Sequence, residues 1–303
     1  MKVLNLIRWK NLLLIVLVQS LIKYALFPVF HVDTALQDWQ FIILILATLC
    51  LASAGNIIND IYDVDTDHIN KPDRVIVGKS ISEKTAYNMF ITLNVIGVIL
   101  GFYLSHAVEK GGFFALFVII SVLLYLYASY LKRTCLVGNI IISILVALSI
   151  VIVGLFDLIP AITFENQDSQ RMVFKLVLEY AGMAFILNFI REIIKDIEDI
   201  DGDYASGIAT LPVLIGRSRS SKIAFVLSFI PLGILVYYVI MFLYNTPLEA
   251  AYFTFLVIGP LLYVSIELFS AKTKKDHNKI SNALKLVMLT GVLSLLLYPI
   301  ILS

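Results

Sequence analysis

Apolar positions along this chain come in long runs, broken by short polar segments and lacking the alternation of strands or the one-sided stripe of surface helices. Each run is close to the roughly 20 residues that a helix needs to cross a ~30 Å hydrocarbon core. The pattern predicts nine spanning helices, over 11–30, 40–61, 86–106, 112–131, 137–158, 173–194, 222–244, 250–270 and 283–302. The expected fold class is an all-α integral membrane bundle, and residues 1–303 are read as one polytopic domain. The first run is the least regular, because Lys23 interrupts it.

Composition agrees with this reading. Of 303 residues, 60% are hydrophobic and only 15% charged, against about 45–50% apolar in soluble domains. The first run has no small-x-small cleavage site behind it and further runs follow, so it reads as a retained span, not a signal peptide. Cys50 lies within a span and Cys135 stands alone, which excludes a disulfide framework or a cysteine-ligated metal. A net charge of +1 and the lack of a basic tail give no ground for a nucleic-acid partner. Lys and Arg set the expected orientation. With the N-terminus cytoplasmic, only Lys110, Arg171 and Lys175 of the 23 basic residues fall outside, apart from Lys23 within its span.

The acids are still more unevenly placed. Of 22 Asp and Glu, Asp60, Asp63, Asp65, Asp67 and Asp73 crowd the end of the second run. Glu192, Asp196, Glu198, Asp199, Asp201 and Asp203 crowd the end of the sixth. Residues 57–67 align with 193–203 at a constant offset of 136, and seven of the eleven pairs are identical. An even number of spans separates the two copies, so both face the same side, as in a duplicated pair of helical halves. At ~100° per residue, Asn56, Asp60, Asp63 and Asp67 share roughly 60° of helical arc, and so do Glu192, Asp196, Asp199 and Asp203. Asp65, Glu198 and Asp201 point elsewhere on the same reckoning, as does Tyr62.

Carboxylates stacked on one face repel one another and call for positive charge between them. With no His or Cys on either face, the donors suit Mg²⁺ or Ca²⁺ better than zinc. Two such faces across a cavity would clamp a diphosphate through bridging metals. The metal-ligating candidates are Asp60, Asp63, Asp67, Asp196, Asp199 and Asp203. Cations for a diphosphate are at hand in Lys71, Arg74, Lys132 and Arg133, with Arg191 and Lys195 flanking the second copy and Asn56 beginning the first face. Each basic residue also fits a plain topological role. An ion-coupled transporter can place acids in a duplicated membrane fold too, but here they gather at the cytoplasmic ends, and two copies exceed what one monovalent ion needs. A purely structural membrane protein leaves both faces unexplained.

The ordered set resembles the UbiA superfamily of intramembrane prenyltransferases. Asn59-Asp60-x-x-Asp63-x-x-x-Asp67 followed by Asn70-Lys71-Pro72-x-Arg74 is similar to its first signature. Tyr127-x-x-x-Leu131-Lys132-Arg133 with Gly138-Asn139 is similar to its middle loop. Asp196-x-Glu198-Asp199-x-x-Gly202-Asp203 with Thr210-Leu211-Pro212 is similar to its second. Two positions depart from the pattern: Lys71 stands where many members carry Arg, and Ala128 where some quinone-type members carry Tyr. The resemblance implies a nine-helix bundle around a central cavity open to lipid, capped by the loops after the second and sixth spans. It implies an enzyme that uses Mg²⁺ and a prenyl diphosphate, with Asp60, Asp63, Asp196, Asp199 and Lys132 as the catalytic set. It also implies an allylic cation attacked by a membrane-associated acceptor.

For the acceptor, the second signature is most similar to that of the geranylgeranylglyceryl phosphate geranylgeranyltransferases of ether-lipid synthesis. Quinone-head, haem and chlorophyll prenylation stay open as alternatives.

Overall fold

The structure, a computed structural model, describes residues 1–301. Among the described residues nine helices are long and apolar enough to cross a membrane: Trp9–Val29, Asp38–Tyr62, Glu83–Ala107, Gly111–Ser129, Val137–Ala161, Gln167–Ala205, Arg217–Phe242, Pro247–Ser270 and Lys274–Ile300. Each overlaps one expected span; the last residue of the ninth expected span, 302, lies outside the described residues. The chain is an integral membrane protein.

Two boundaries and one internal turn differ from the expectation for identifiable reasons. The sixth helix continues through the whole acidic segment and runs for 39 residues. An apolar run marks where lipid ends, whereas the backbone hydrogen bonds of a helix continue into water. The ninth helix begins at Lys274, well before its apolar run, because Thr273 and Asp276 form a reciprocal capping box there. In the first helix a π-turn over Ile22–Leu26 accommodates Lys23. The Lys23 ammonium donates to the Leu36 carbonyl at 2.9 Å and pairs with Asp157 at 2.9 Å. Asp157 also accepts from the Leu36 amide through Oδ1, and this buried pair lies at the end of the bundle opposite the two acidic segments.

Two apolar cores divide the bundle. One joins the first five spans to the first half of the sixth, from Val18 to Ala181, and takes in Leu295 from the end of the ninth. The other joins the second half of the sixth to the seventh, eighth and ninth, from Leu187 to Val287. The long sixth helix belongs to both, so its acidic end is held from two sides. A third, smaller cluster packs Leu6 of the short helix Lys2–Leu6 against Ile57, Ile58 and Ile61 of the second span. Arg8 follows in the left-handed region, with φ 56°, and this sharp corner turns its side chain toward the second span.

Candidate active site

The two acidic segments are brought together, but by different backbones. The second copy stays on one continuous helix through Ala205. The first copy is interrupted at Asp63 (φ −94°, ψ 0°), and a separate short helix, Val64–Asn70, carries Asp67. The equal facial spacing expected of Asp60, Asp63 and Asp67 therefore holds only as far as Asp63. Lys71 and Pro72 end the short helix, Pro72 having no amide proton to continue it.

That short helix lies across the acidic end of the sixth span. Asn70 Nδ2 donates to the Asp199 carbonyl at 2.8 Å, and Asn70 Oδ1 accepts from the Gly202 amide at 2.9 Å. Thr66 Oγ1 bonds Ser206 Oγ at 3.0 Å, and Lys274 Nζ holds the Asn70 carbonyl at 2.7 Å. Only glycine fits at 202: a Cβ there would stand 2.4 Å from Asn70 Nδ2. Gly138 has a matching role in the middle loop, where a Cβ would meet the Lys132 Cα at 2.8 Å. This close approach lets the turn Leu131–Arg133 fold back onto the fifth span.

The acids are interleaved with nitrogen donors. Asp63 accepts from Asn59 Nδ2 at 2.6 Å and forms an ion pair with Lys132. Lys71 Nζ pairs with Asp199 Oδ2 at 2.6 Å, from a segment 128 residues away. Asp60 pairs with Arg8 at 2.8 Å, and Asp196 accepts from Asn139 Nδ2 at 2.7 Å. Asp203 is buried and bonds Thr210 at 3.2 Å. The Lys132 ammonium is also within electrostatic reach of Asp60, Asp67 and Asp203, so it stands between the two copies. Burial works against its charge, but Asp63 beside it more than compensates and holds the ammonium above the usual lysine range. At Asp67, burial followed by the nearby Asp63 charge pushes the carboxyl up, against the pull of Lys132 and Lys71.

The remaining candidates sit farther out. Asn56 gives its amide to the Ile7 carbonyl at 3.0 Å, and so anchors the segment that carries Arg8. Arg74 and Arg133 are exposed. Glu198 turns to the ninth span, accepting from Asn278 Nδ2 at 2.5 Å, and exposed Asp201 faces Arg217 at 3.4 Å. Both therefore point away from the site, as expected. Four residues beyond the candidates reach the acids: Asn59, Thr210, Arg8, which reads in the sequence as a topological charge, and Asn139. For Asn139 the signal was present, an amide in an otherwise apolar span. For Arg8 there was none, because its left-handed backbone carries no sequence mark.

Among the described residues, no three His, Cys, Asp or Glu side chains gather as a metal-holding group; Lys132 and Lys71 stand between the carboxylates instead. The donor set nevertheless fits a hard divalent cation. It consists of carboxylate and amide oxygens, and Asp199 Oδ1 is buried with no hydrogen-bond partner.

Nine spans with paired acidic segments threaded by lysines, at one end of the bundle, define a membrane enzyme suited to polyanionic substrates. The chain belongs to the UbiA prenyltransferase family, whose model matches residues 21–289. It is 31% identical to the digeranylgeranylglyceryl phosphate synthase of Korarchaeum cryptofilum (strain OPF8), over 88% of each chain. Among solved structures, an apo UbiA homolog from Aeropyrum pernix K1 superposes with a TM-score of 0.65 at 17% identity, covering 90% of this chain and 94% of that one. A UbiA homolog from Archaeoglobus fulgidus bound to DMAPP and Mg2+ gives 0.55 at 16% identity, covering 98% and 99%.

Proposed function

We propose that this protein transfers a geranylgeranyl group from geranylgeranyl diphosphate to geranylgeranylglyceryl phosphate, with Mg²⁺, at the cytoplasmic face of the membrane. The observation that carries the reading is the convergence of two near-identical acidic segments around Lys132 and Lys71. The name of the Korarchaeum relative supports the acceptor, and the bound state of the Archaeoglobus homolog supports the donor class and the metal. The Lys and Arg bias supports a cytoplasmic N-terminus and site.

In this scheme Asp60, Asp63 and Asp67 from one copy and Asp196, Asp199 and Asp203 from the other hold Mg²⁺. When bound, Mg²⁺ supplies positive charge to the departing diphosphate. Lys132 and Lys71 trade their carboxylate contacts for phosphate oxygens, and Arg74 and Arg133 close over the outer phosphate. These are fixed cations aimed at charge that develops as the C–O bond breaks. Asn56 and Asn139 hold Arg8 and Asp196 in place, and the Val64–Asn70 helix covers the site and keeps water from the allylic carbon. The acceptor hydroxyl oxygen then bonds to the allylic carbon and its proton passes to the released diphosphate, while the prenyl tail lies among the spans.

The test is an incubation of detergent-purified protein with geranylgeranyl diphosphate and Mg²⁺. The acceptors offered are geranylgeranylglyceryl phosphate, an aromatic quinone precursor and haem B, with EDTA controls and mass-spectrometric detection. The expected result is a single product on the glyceryl phosphate, absent with EDTA. Transfer to the aromatic or haem acceptor would overturn the acceptor assignment, and no metal-dependent reaction of the diphosphate would overturn the transferase reading.

A further inference from the structure

A second group of cations lies beside the two acidic segments, and three of its four members have no part in the donor scheme. Asn278 of the ninth span bonds Glu198 of the sixth at 2.5 Å, which fixes the register of these two antiparallel, packed helices. Seven residues correspond to almost two full helical turns. Stepping seven along each helix from that contact, away from the acidic end, therefore brings Lys285 level with Arg191 on the facing sides. Both lie within a few residues of the ends of their spans' apolar runs, 173–194 and 283–302, that are nearest the acidic segments.

Lys195 and Arg8 complete the group, and all four lie within electrostatic reach of one another. The available countercharge is limited. Glu192 is shared between Lys195 at 2.8 Å and Arg191 at 3.5 Å, and Asp60 is engaged by Arg8 at 2.8 Å. Among the described residues nothing pairs with Lys285, and the Arg191 Nε is buried without a hydrogen-bond partner. Glu198 also reaches Arg191 and Asp63 reaches Arg8, but these two acids are bonded to Asn278 and Lys132. The group therefore keeps an excess of positive charge on the unpaired Lys285 and the Arg191 Nε, and ionisable groups of this kind within a span mark a functional site.

We infer that Arg8, Arg191, Lys195 and Lys285 form a binding site for a phosphate monoester, namely that of the lipid acceptor. A monoester carries about two negative charges at neutral pH and so suits this excess of positive charge, and Arg191 offers it a directed N–H. Arg8 faces both ways, toward Asp60 in the acidic site and toward Lys285 in this one. It therefore sets the acceptor phosphate beside the donor site with the acceptor chain directed into lipid. The assignment of the phosphate to an acceptor rests on the proposed function; the anion site itself does not.

The test is equilibrium binding to the purified full-length protein, comparing geranylgeranylglyceryl phosphate with geranylgeranylglycerol. Kinetics with both substrates are measured in parallel. The wild type is expected to prefer the phosphorylated lipid by at least about ten-fold, the scale of charge-assisted hydrogen bonds. Lys285→Met is expected to lose most of that preference and to raise KM for the acceptor much more than for the diphosphate. Lys285→Arg is expected to keep both. Phosphate preference in a protein that transfers nothing would uphold the anion site and sink only the transferase reading. Equal binding of the two lipids by the wild type, a preference retained in Lys285→Met, or a defect confined to the diphosphate KM would each overturn the inference.

Discussion

The two acidic segments share seven of eleven residues, yet one is a straight helix end and the other a helix broken at its middle carboxylate. Local propensity does not decide between them, because Lys195 and Glu198 of the straight copy are better helix formers than Asn59 and Tyr62 of the broken one but are offset by one poor one. The straight copy holds Gly202, a poor helix former, where the broken copy holds Thr66. Tertiary contact decides instead. Gly202 leaves room for Asn70, and the first copy, bent at Asp63, lays its last turn over the second. One copy thus serves as a platform and its duplicate as a cover, and each donates a cation-paired carboxylate to the same site.

The largest expected effect separates the two lysines. Lys132→Met removes the charge that stands between both copies, and should lower kcat by about 10²- to 10³-fold, the scale for losing a preorganised donor to developing charge. Lys71→Met touches only Asp199 and should cost about ten-fold less. Equal losses would mean that the two copies are functionally equivalent and that the cover has no role of its own. A smaller effect is expected from making the platform resemble the cover. Gly202→Thr places a side chain against Asn70 and should destabilise the fold by about 1–3 kcal/mol, as overpacking does. It should lower the melting temperature in detergent and increase proteolytic cleavage between 63 and 72. An unchanged melting curve would show that the Asn70 contact does not hold the cover in place.

How far the sequence reveals this arrangement depends on the range of the interaction. The nine spans were legible because lipid imposes long apolar runs, and the acidic faces were legible because duplication displays them twice. Of the six acids expected to bind metal, Asp60, Asp63 and Asp199 are paired with cations and Asp196 accepts from an amide. What the sequence could not show are contacts between distant segments. Arg8 reaches Asp60 across 52 residues, and Asn139 reaches Asp196 across 57. The break at Asp63 was equally hidden, because the contacts that hold the segment after it, from Asn70 to Asp199 and Gly202, lie in the other copy. The ninth helix start at Lys274 lay ahead of its apolar run, in a capping box that hydropathy does not register.

The most direct test of the account is the metal dependence of prenyl transfer in Asp60→Asn, Asp196→Asn and the double variant, with folding checked by thermal melting. If the two copies build one site, either single change abolishes Mg²⁺-dependent product formation while the folded protein persists. A folded double variant that still transfers the prenyl group at the wild-type rate would contradict the claim that these paired carboxylates are the catalytic centre.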